Sequence, residues 1–401
     1  MALTFEALPA RYGDSLFLTF EDPGRTLRLL IDGGPSRVYE TSLRPRLARE
    51  AIRVGDGMLT LDAVMVSHVD EDHIQGILEL LGELRDADEG QQPRPWDVRW
   101  LLHNSFDALL DESEGGVARA VGGTTVLAGL GGAEMLSDLL GRELSHTAEL
   151  VLASYAQGSQ LASLAGALQI TRNPPDGSPI MSTATTRVLK LGQATLKIVG
   201  PRESELRKLR AAWAKWRAAL KAKTPPTKAL ATTLDNSVPN LSSIVALVEH
   251  GASKVLITGD ARSDYIYAGL KAAGLLNDGK LHVDVLKLPH HGSIRNITAD
   301  FLAKVTADHY VASGDGTYGN PDRATLELIA KTRPEGGYTV HITHDAATCD
   351  RIHEAWRRDR KGPKYDATTD GIVPVIEAWE AAGRIKVNVP TSANPQITIR
   401  L

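Results

Sequence analysis

The chain has one cysteine, Cys349, in 401 residues, so no intramolecular disulfide framework holds it together. It has no long hydrophobic run. The longest uncharged apolar-looking stretch, 120–133, holds five glycines and two threonines and is too short to span a bilayer. No secretory signal opens it, because Glu6, Arg11 and Asp14 stand where an apolar core should run. Nor is there an excess of one charge: 45 Lys and Arg against 49 Asp and Glu give a net −4. Apolar residues at 42% and charged ones at 23% exclude wholesale disorder and a collagen-like fibre. These absences leave a globular protein with a substantial core, expected to be cytoplasmic and without membrane contact.

What is present is an alternation of short apolar runs and helical stretches. Runs at 16–20 and 27–31 predict paired strands across a turn at Asp22, Pro23 and Gly24. Further strands are expected at 63–66, 98–102, 187–191, 195–199, 243–248, 254–258, 283–288, 307–312, 338–342, 385–389 and 396–401. Helices are expected around 42–53, 74–84, 265–273 and 323–331. From 105 to about 180 the texture turns to Ala, Leu, Gly and Ser, which predicts a mainly helical insertion. A second inserted segment, 202–230, reads as a charged helix stopped by Pro225 and Pro226. The expectation is one α/β domain over 1–401, with chemistry gathered at strand ends.

Three polar clusters follow apolar strands directly. The strongest is His68, Asp70, Asp72 and His73, between a buried strand and a helix. Imidazole nitrogen with carboxylate oxygen suits zinc or a similar divalent ion, and such a loop can hand two ligands to each of two neighbouring metals. Capping of the helix N-terminus accounts for one carboxylate, not for two histidines. The second cluster is Thr258, Gly259 and Asp260, where the aspartate alone reads equally well as a turn residue. The third is Pro289, His290, His291, Gly292 and Ser293. Adjacent histidines on extended chain point to different sides, so one could ligate metal while the other faces substrate.

Together these clusters resemble the metallo-β-lactamase fold superfamily, in the ComEC-like and phosphorylcholine-esterase-like branch that carries Asp in the middle of its first motif. Tyr12-Gly-Asp-Ser15, Leu30-Ile-Asp-Gly-Gly34, Asp235-Asn-Ser-Val-Pro-Asn240 and Tyr318-Gly-Asn-Pro321 support it. The likeness covers most of the chain outside 105–180 and 202–230. It implies an αββα sandwich with a dinuclear metal site at one edge, holding two divalent ions, zinc first and manganese or iron as alternatives. His68 and Asp70 would bind one ion, Asp72 and His73 the other, with Asp260 bridging and His291 completing the second site. One more histidine is expected. His103, at a strand end, is preferred to His146, inside the insertion. Asp32 would orient a ligand histidine or hold its loop.

The resemblance implies hydrolysis by a hydroxide bridging two ions, which needs no separate general base and suits phosphodiesters or nucleic acid. Asp72 and His290 are the expected catalytic residues, His290 steadying the transition state or protonating the leaving oxygen. Related sequences carry His where Asn320 stands, which removes a tunable proton donor. Asn320, His341 and His344 are read as residues that could line the cleft. Segment 201–228 carries nine basic residues against two acidic ones, a net +7 that leaves the remainder at −11. Arg210, Lys215 and Lys221, with Trp213 and Trp216 interleaved, fit phosphate pairing and base stacking. The same pattern fits a solvated helix whose tryptophans pack on the body. Hydrolysis of a small-molecule ester, lactone or cyclic nucleotide is the alternative reaction. A catalytically silent binding or toxin-partner module is the alternative class.

Overall fold

In the computed structural model, residues 2–55, 58–105, 109, 146–208, 210–211, 214, 242–358, 360 and 363–401 are described. The strands are β1 (Ala2–Ala7), β2 (Leu16–Asp22), β3 (Arg25–Ile31), β4 (Leu59–Leu61), β5 (Ala63–Val66), β6 (Trp96–Val98), β7 (Trp100–His103), β8 (Thr171–Arg172) and β9 (Val188–Leu191). They continue as β10 (Ala194–Gly200), β11 (Val245–His250), β12 (Ser253–Ile257), β13 (Leu281–Lys287), β14 (Val305–Ala312), β15 (Thr339–Ile342), β16 (Lys386–Asn388) and β17 (Ile397–Arg400). The α-helices are α1 (Arg44–Val54), α2 (Glu71–Glu89), α3 (His146–Ala167), α4 (Ser263–Ala272), α5 (Ala299–Lys304), α6 (Arg323–Thr332), α7 (Ala346–Arg358) and α8 (Val373–Ala382).

Most strand residues are buried on both faces, and the reason lies in how two sheets stack. One sheet runs β17-β1-β2-β3-β5-β7-β8, the other β16-β15-β14-β13-β12-β11-β10-β9. Each is antiparallel on one side and parallel on the other, with β3, β5, β7 and β8 parallel in the first and β12 to β16 parallel in the second. Between the sheets, Leu16, Leu18 and Phe20 meet Leu196, Ile198, Val248, Val255 and Ile257. The alternate residues Phe17 and Leu30 face outward onto Leu47 of α1, Ile77 and Leu81 of α2, and Leu161 of α3. Across the molecule, Leu256 and Leu286 pack on Ile266 of α4, Phe301 of α5, Leu326 of α6 and Trp379 of α8. The layering is therefore αββα, with one apolar layer between the sheets and one beneath each helical face.

Most elements lie within a few residues of the expected ranges. Helix α2 begins earlier, at Glu71, because Asp70 takes the extended N-cap conformation and Glu71 and Asp72 suit a helix N-terminus. The run 98–102 divides into β6 and β7 in different sheets. Strand β1 and helices α7 and α8 were not foreseen. Of the insertion, α3 and β8 are described, and 106–108 and 110–145 lie outside the described residues. The basic segment is helical at 203–208, while 215–241 lies outside. Among the described residues, no helix is long and apolar enough to cross a membrane.

Candidate metal centre

The parallel strands of both sheets end on one edge, where β3 leads into Asp32, β5 into His68, β12 into Asp260 and β13 into His290 and His291. Two hydrogen bonds pin α2 to that edge, Gly33 N to His73 O at 2.8 Å and Gly76 N to Gly34 O at 3.0 Å. The helix cannot come so close without glycine, since a Cβ on Gly76 would lie 2.1 Å from Gly33 O. This docking carries Asp72 and His73 across to the second sheet.

There Asp72, His73, Asp260 and His291 bring one ligand atom each within 4.8 Å of one another. His73 Nε2 lies 3.2 Å from Asp260 Oδ1, and His291 Nε2 lies 3.1 Å from Asp72 Oδ2 and 3.8 Å from Asp260 Oδ1. His68 turns its ring to His73, with centroids 5.4 Å apart, and its Nδ1 lies 3.6 Å from Asp70 Oδ2. His68 Nε2, His73 Nε2 and Asp260 Oδ1 are buried without hydrogen-bond partners. Buried polar atoms ordinarily find partners, so His73 Nε2 and Asp260 Oδ1, facing each other inside the cluster, fit a bound ion, and His68 Nε2 is a third such atom on the ring beside His73. The nitrogen-and-oxygen donor set suits zinc or a similar divalent cation.

A buried outer ring holds these ligands. Asp32 sets Oδ2 3.0 Å from His73 Nδ1 and accepts Ser67 N at 2.7 Å. Asp14 sets Oδ1 3.3 Å from His291 Nδ1 and is itself paired with the fully buried Lys287 at 2.7 Å. Ser313 Oγ donates to Asp14. Each histidine thus offers Nδ1 to a carboxylate and keeps Nε2 for the centre.

Burial opposes charge on Asp72, His73, Asp260 and His291, and there the facing charges outweigh it, whereas at Asp32 burial prevails and raises the carboxyl. His290, His73 and His291 hold Asp260 well below the ordinary carboxylate range, and His73 and His291 lower Asp72. In return Asp260, Asp72 and Asp32 raise His73 well above an ordinary imidazole, while Asp14 and Asp260 push His291 up to about 9. The field that keeps those protons in place is one that a divalent cation satisfies instead.

The remaining expected residues fall at different distances from this cluster. His103 is buried with Nε2 3.3 Å from Gly158 O of α3, and burial pushes it down to about 4. His146 opens α3, and its side chain lies outside the described residues. His290 and His291 are not on extended chain, which corrects the expectation that they face opposite sides. Both have positive φ, 49° and 56°, and both rings reach Asp260, His290 Nε2 at 3.6 Å. The tight left-handed turn after β13 turns two neighbouring side chains to one place. Asn296 donates Nδ2 to Asp260 O at 2.9 Å, so its Oδ1, 3.0 Å from His290 Nδ1, accepts a proton from that nitrogen.

Asn320 is buried, and its carbonyl accepts Gly316 N at 2.9 Å. His344 Nδ1 lies 3.1 Å from Gly314 O. His341 bonds His309 and Asn388 rather than the metal cluster. Arg210 is engaged by Leu109 O at 2.7 Å and by Glu203 at 3.2 Å. Lys215 and Lys221, and both tryptophans between them and Arg210, lie outside the described residues. Asp14, Lys287, Ser313 and Asn296 were missed. Only Asp14 had a signal, its place in Tyr12-Gly-Asp-Ser15.

No protein-family model matches the chain. A stretch of 82 residues, 19% of the chain, is 32% identical to microtubule-associated protein 1A of Homo sapiens, and likewise to the proteins of Rattus norvegicus and Mus musculus. That stretch spans 3% of those relatives' length. A crystal structure of a β-lactamase domain protein from Burkholderia ambifaria aligns over 95% of this chain and 86% of its own, at 15% identity and a TM-score of 0.31. On its own coordinates, the chain is an αββα sandwich with a His/Asp cluster at one edge that could hold a divalent metal.

Proposed function

We propose that the protein is a metal-dependent hydrolase acting on phosphodiesters. The observation that carries the reading is the buried cluster of Asp72, His73, Asp260 and His291, with orphaned donor atoms on His73, Asp260 and the adjacent His68. Asp72, His73, Asp260 and His291 would hold one divalent ion. His68 and Asp70 would hold a second beside it, and His103 is the further candidate ligand. Bound there, such ions supply an activated water at neutral pH and neutralise charge on phosphoryl oxygens.

The chain's own groups do the rest. Asp32 and Asp14 fix the two imidazoles so that Nε2 of each is presented to the centre. His290 holds one proton on Nδ1 toward Asn296, and its Nε2 faces Asp260 from a side chain one-third exposed to the cleft. In its doubly protonated form, Nε2 is placed to protonate a departing alkoxide. Purified protein loaded with Zn²⁺ or Mn²⁺ should cleave bis(4-nitrophenyl) phosphate, and Asp260→Ala should lower kcat/KM by about a hundredfold or more. Equal activity in that variant contradicts the reading.

A second reading, hydrolysis of a small-molecule ester, lactone or cyclic nucleotide, is favoured by α3. It packs along α2, with Gln157 Nε2 3.1 Å from Gln75 Oε1 and Gly158 beside His103, and so walls one flank of the site. Cleavage of these small substrates with no activity on linear diesters selects it.

A further inference from the structure

Tyr318, in the loop between β14 and α6, is a residue 54% exposed on a backbone with φ 63°, the region ordinarily left to glycine. Its glycine neighbours are there for space. A Cβ on Gly316 would lie 2.0 Å from Cys349 O, and one on Gly319 would lie 3.1 Å from His353 Nε2. The loop is thus pressed onto α7 on either side of Tyr318, and the strained residue between is a large aromatic facing solvent. Backbone held in this region clusters at functional sites, and Asp32, His290 and His291 share it here.

The ring is one of a row. Tyr12 and Trp356 flank it, each with its centroid 5.6 Å away and planes inclined at 85° and 75°. Arg11 covers Tyr12, its Cζ 5.0 Å from the ring centroid, and Arg360 covers Trp356 at 4.4 Å. The row adjoins the metal cluster. Tyr12 donates to Glu71 at 3.0 Å, and Asp14 N donates to Asp72 O at 3.1 Å.

We propose that Tyr318 is the platform on which a nucleobase of the substrate stacks, so that the diester cleaved at the metal centre belongs to a nucleotide. This rests on the phosphodiesterase reading and names its substrate class. An aromatic face stacks any base, and guanidiniums at both ends of the row attract the flanking phosphates. The same guanidiniums already cover the outer rings and disfavour a quaternary ammonium, the other ligand that such rings take.

Thymidine 5′-monophosphate and deoxyribose 5-phosphate differ by the base alone, and calorimetry on zinc-loaded protein measures the affinity of each. The nucleotide should bind about tenfold or more tightly than the sugar phosphate in the unaltered protein and in Tyr318→Phe. In Tyr318→Ala the ratio should fall to near one, and Tyr318→Leu, which keeps apolar bulk, gives the same reading should the alanine variant not fold. Equal affinities in the unaltered protein overturn the proposal, as does a ratio unchanged in a folded Tyr318→Ala or Tyr318→Leu. Phosphocholine binding tighter than both ligands also overturns it. A base preference lost in Tyr318→Ala without any diester hydrolysis keeps the stacking site and removes the phosphodiesterase; hydrolysis without base preference does the reverse.

Discussion

At the scale of single residues, Asp32 and Asp14 do for His73 and His291 what the ligands alone cannot. Each carboxylate faces Nδ1, fixes the ring and leaves Nε2 to the centre. Asp32→Asn should therefore weaken zinc binding about 10- to 100-fold in calorimetric titration while the fold persists by circular dichroism. Unchanged affinity would assign Asp32 to loop stability alone. Away from the centre, burial, followed by the neighbouring His309, pushes His341 down to about 3 from an ordinary 6.5. It is neutral when folded at any pH above that, whereas the unfolded chain takes up its proton below about 6.5. Stability should thus fall as pH drops from 6.5 toward 3, by about 1.4 kcal/mol per pH unit for each such proton. Urea melts of His341→Asn between pH 4 and 6 should show a shallower acid slope, and an unaltered slope contradicts the assignment. The ligands were legible in the sequence because histidines and aspartates crowd into short runs. Lys287 was not, because a lysine inside an apolar strand shows its purpose only when the fold brings Asp14 to it.

At the scale of elements, α2 positions the site by its backbone. Gly33 and Gly76 let the helix touch the loop after β3, and that contact places His73 against Asp32. Gly76→Ala drives a Cβ into Gly33 O, and it should cost about 1–3 kcal/mol in urea denaturation and displace two ligands together. Gly82→Ala, in the same helix with open space around the added atom, should instead stabilise by about 0.5–1 kcal/mol. Equal effects of the two substitutions contradict the docking contact. Strands were read well because both faces are buried and their apolar runs are dense. Helix α7 was missed because it buries only Cys349 and His353 and so reads as polar chain. The turn at His290 and His291 was misread because left-handed backbone at two successive histidines leaves no sequence signal.

At the scale of the molecule, a net charge of −4 conceals a division between a body at −11 and a segment at +7. If that segment meets nucleic acid, charge reversal at Arg210, Lys215 and Lys221 should flatten the dependence of log affinity on log salt by about two units or more. Arg210 is engaged by Glu203 and Leu109, which lowers its own share of the effect. An unchanged slope assigns the segment to packing and solvation. An α/β chain was legible because strands and helices alternate along it, whereas the αββα layering was implied only by the family resemblance. The central claim is narrower, that Asp72, His73, Asp260 and His291 hold a divalent ion. Calorimetric titration of Zn²⁺ into chelator-stripped protein tests it directly. Tight binding of at least one equivalent per chain, lost in Asp260→Ala, is the expected result; no saturable binding, or binding unchanged in that variant, contradicts it.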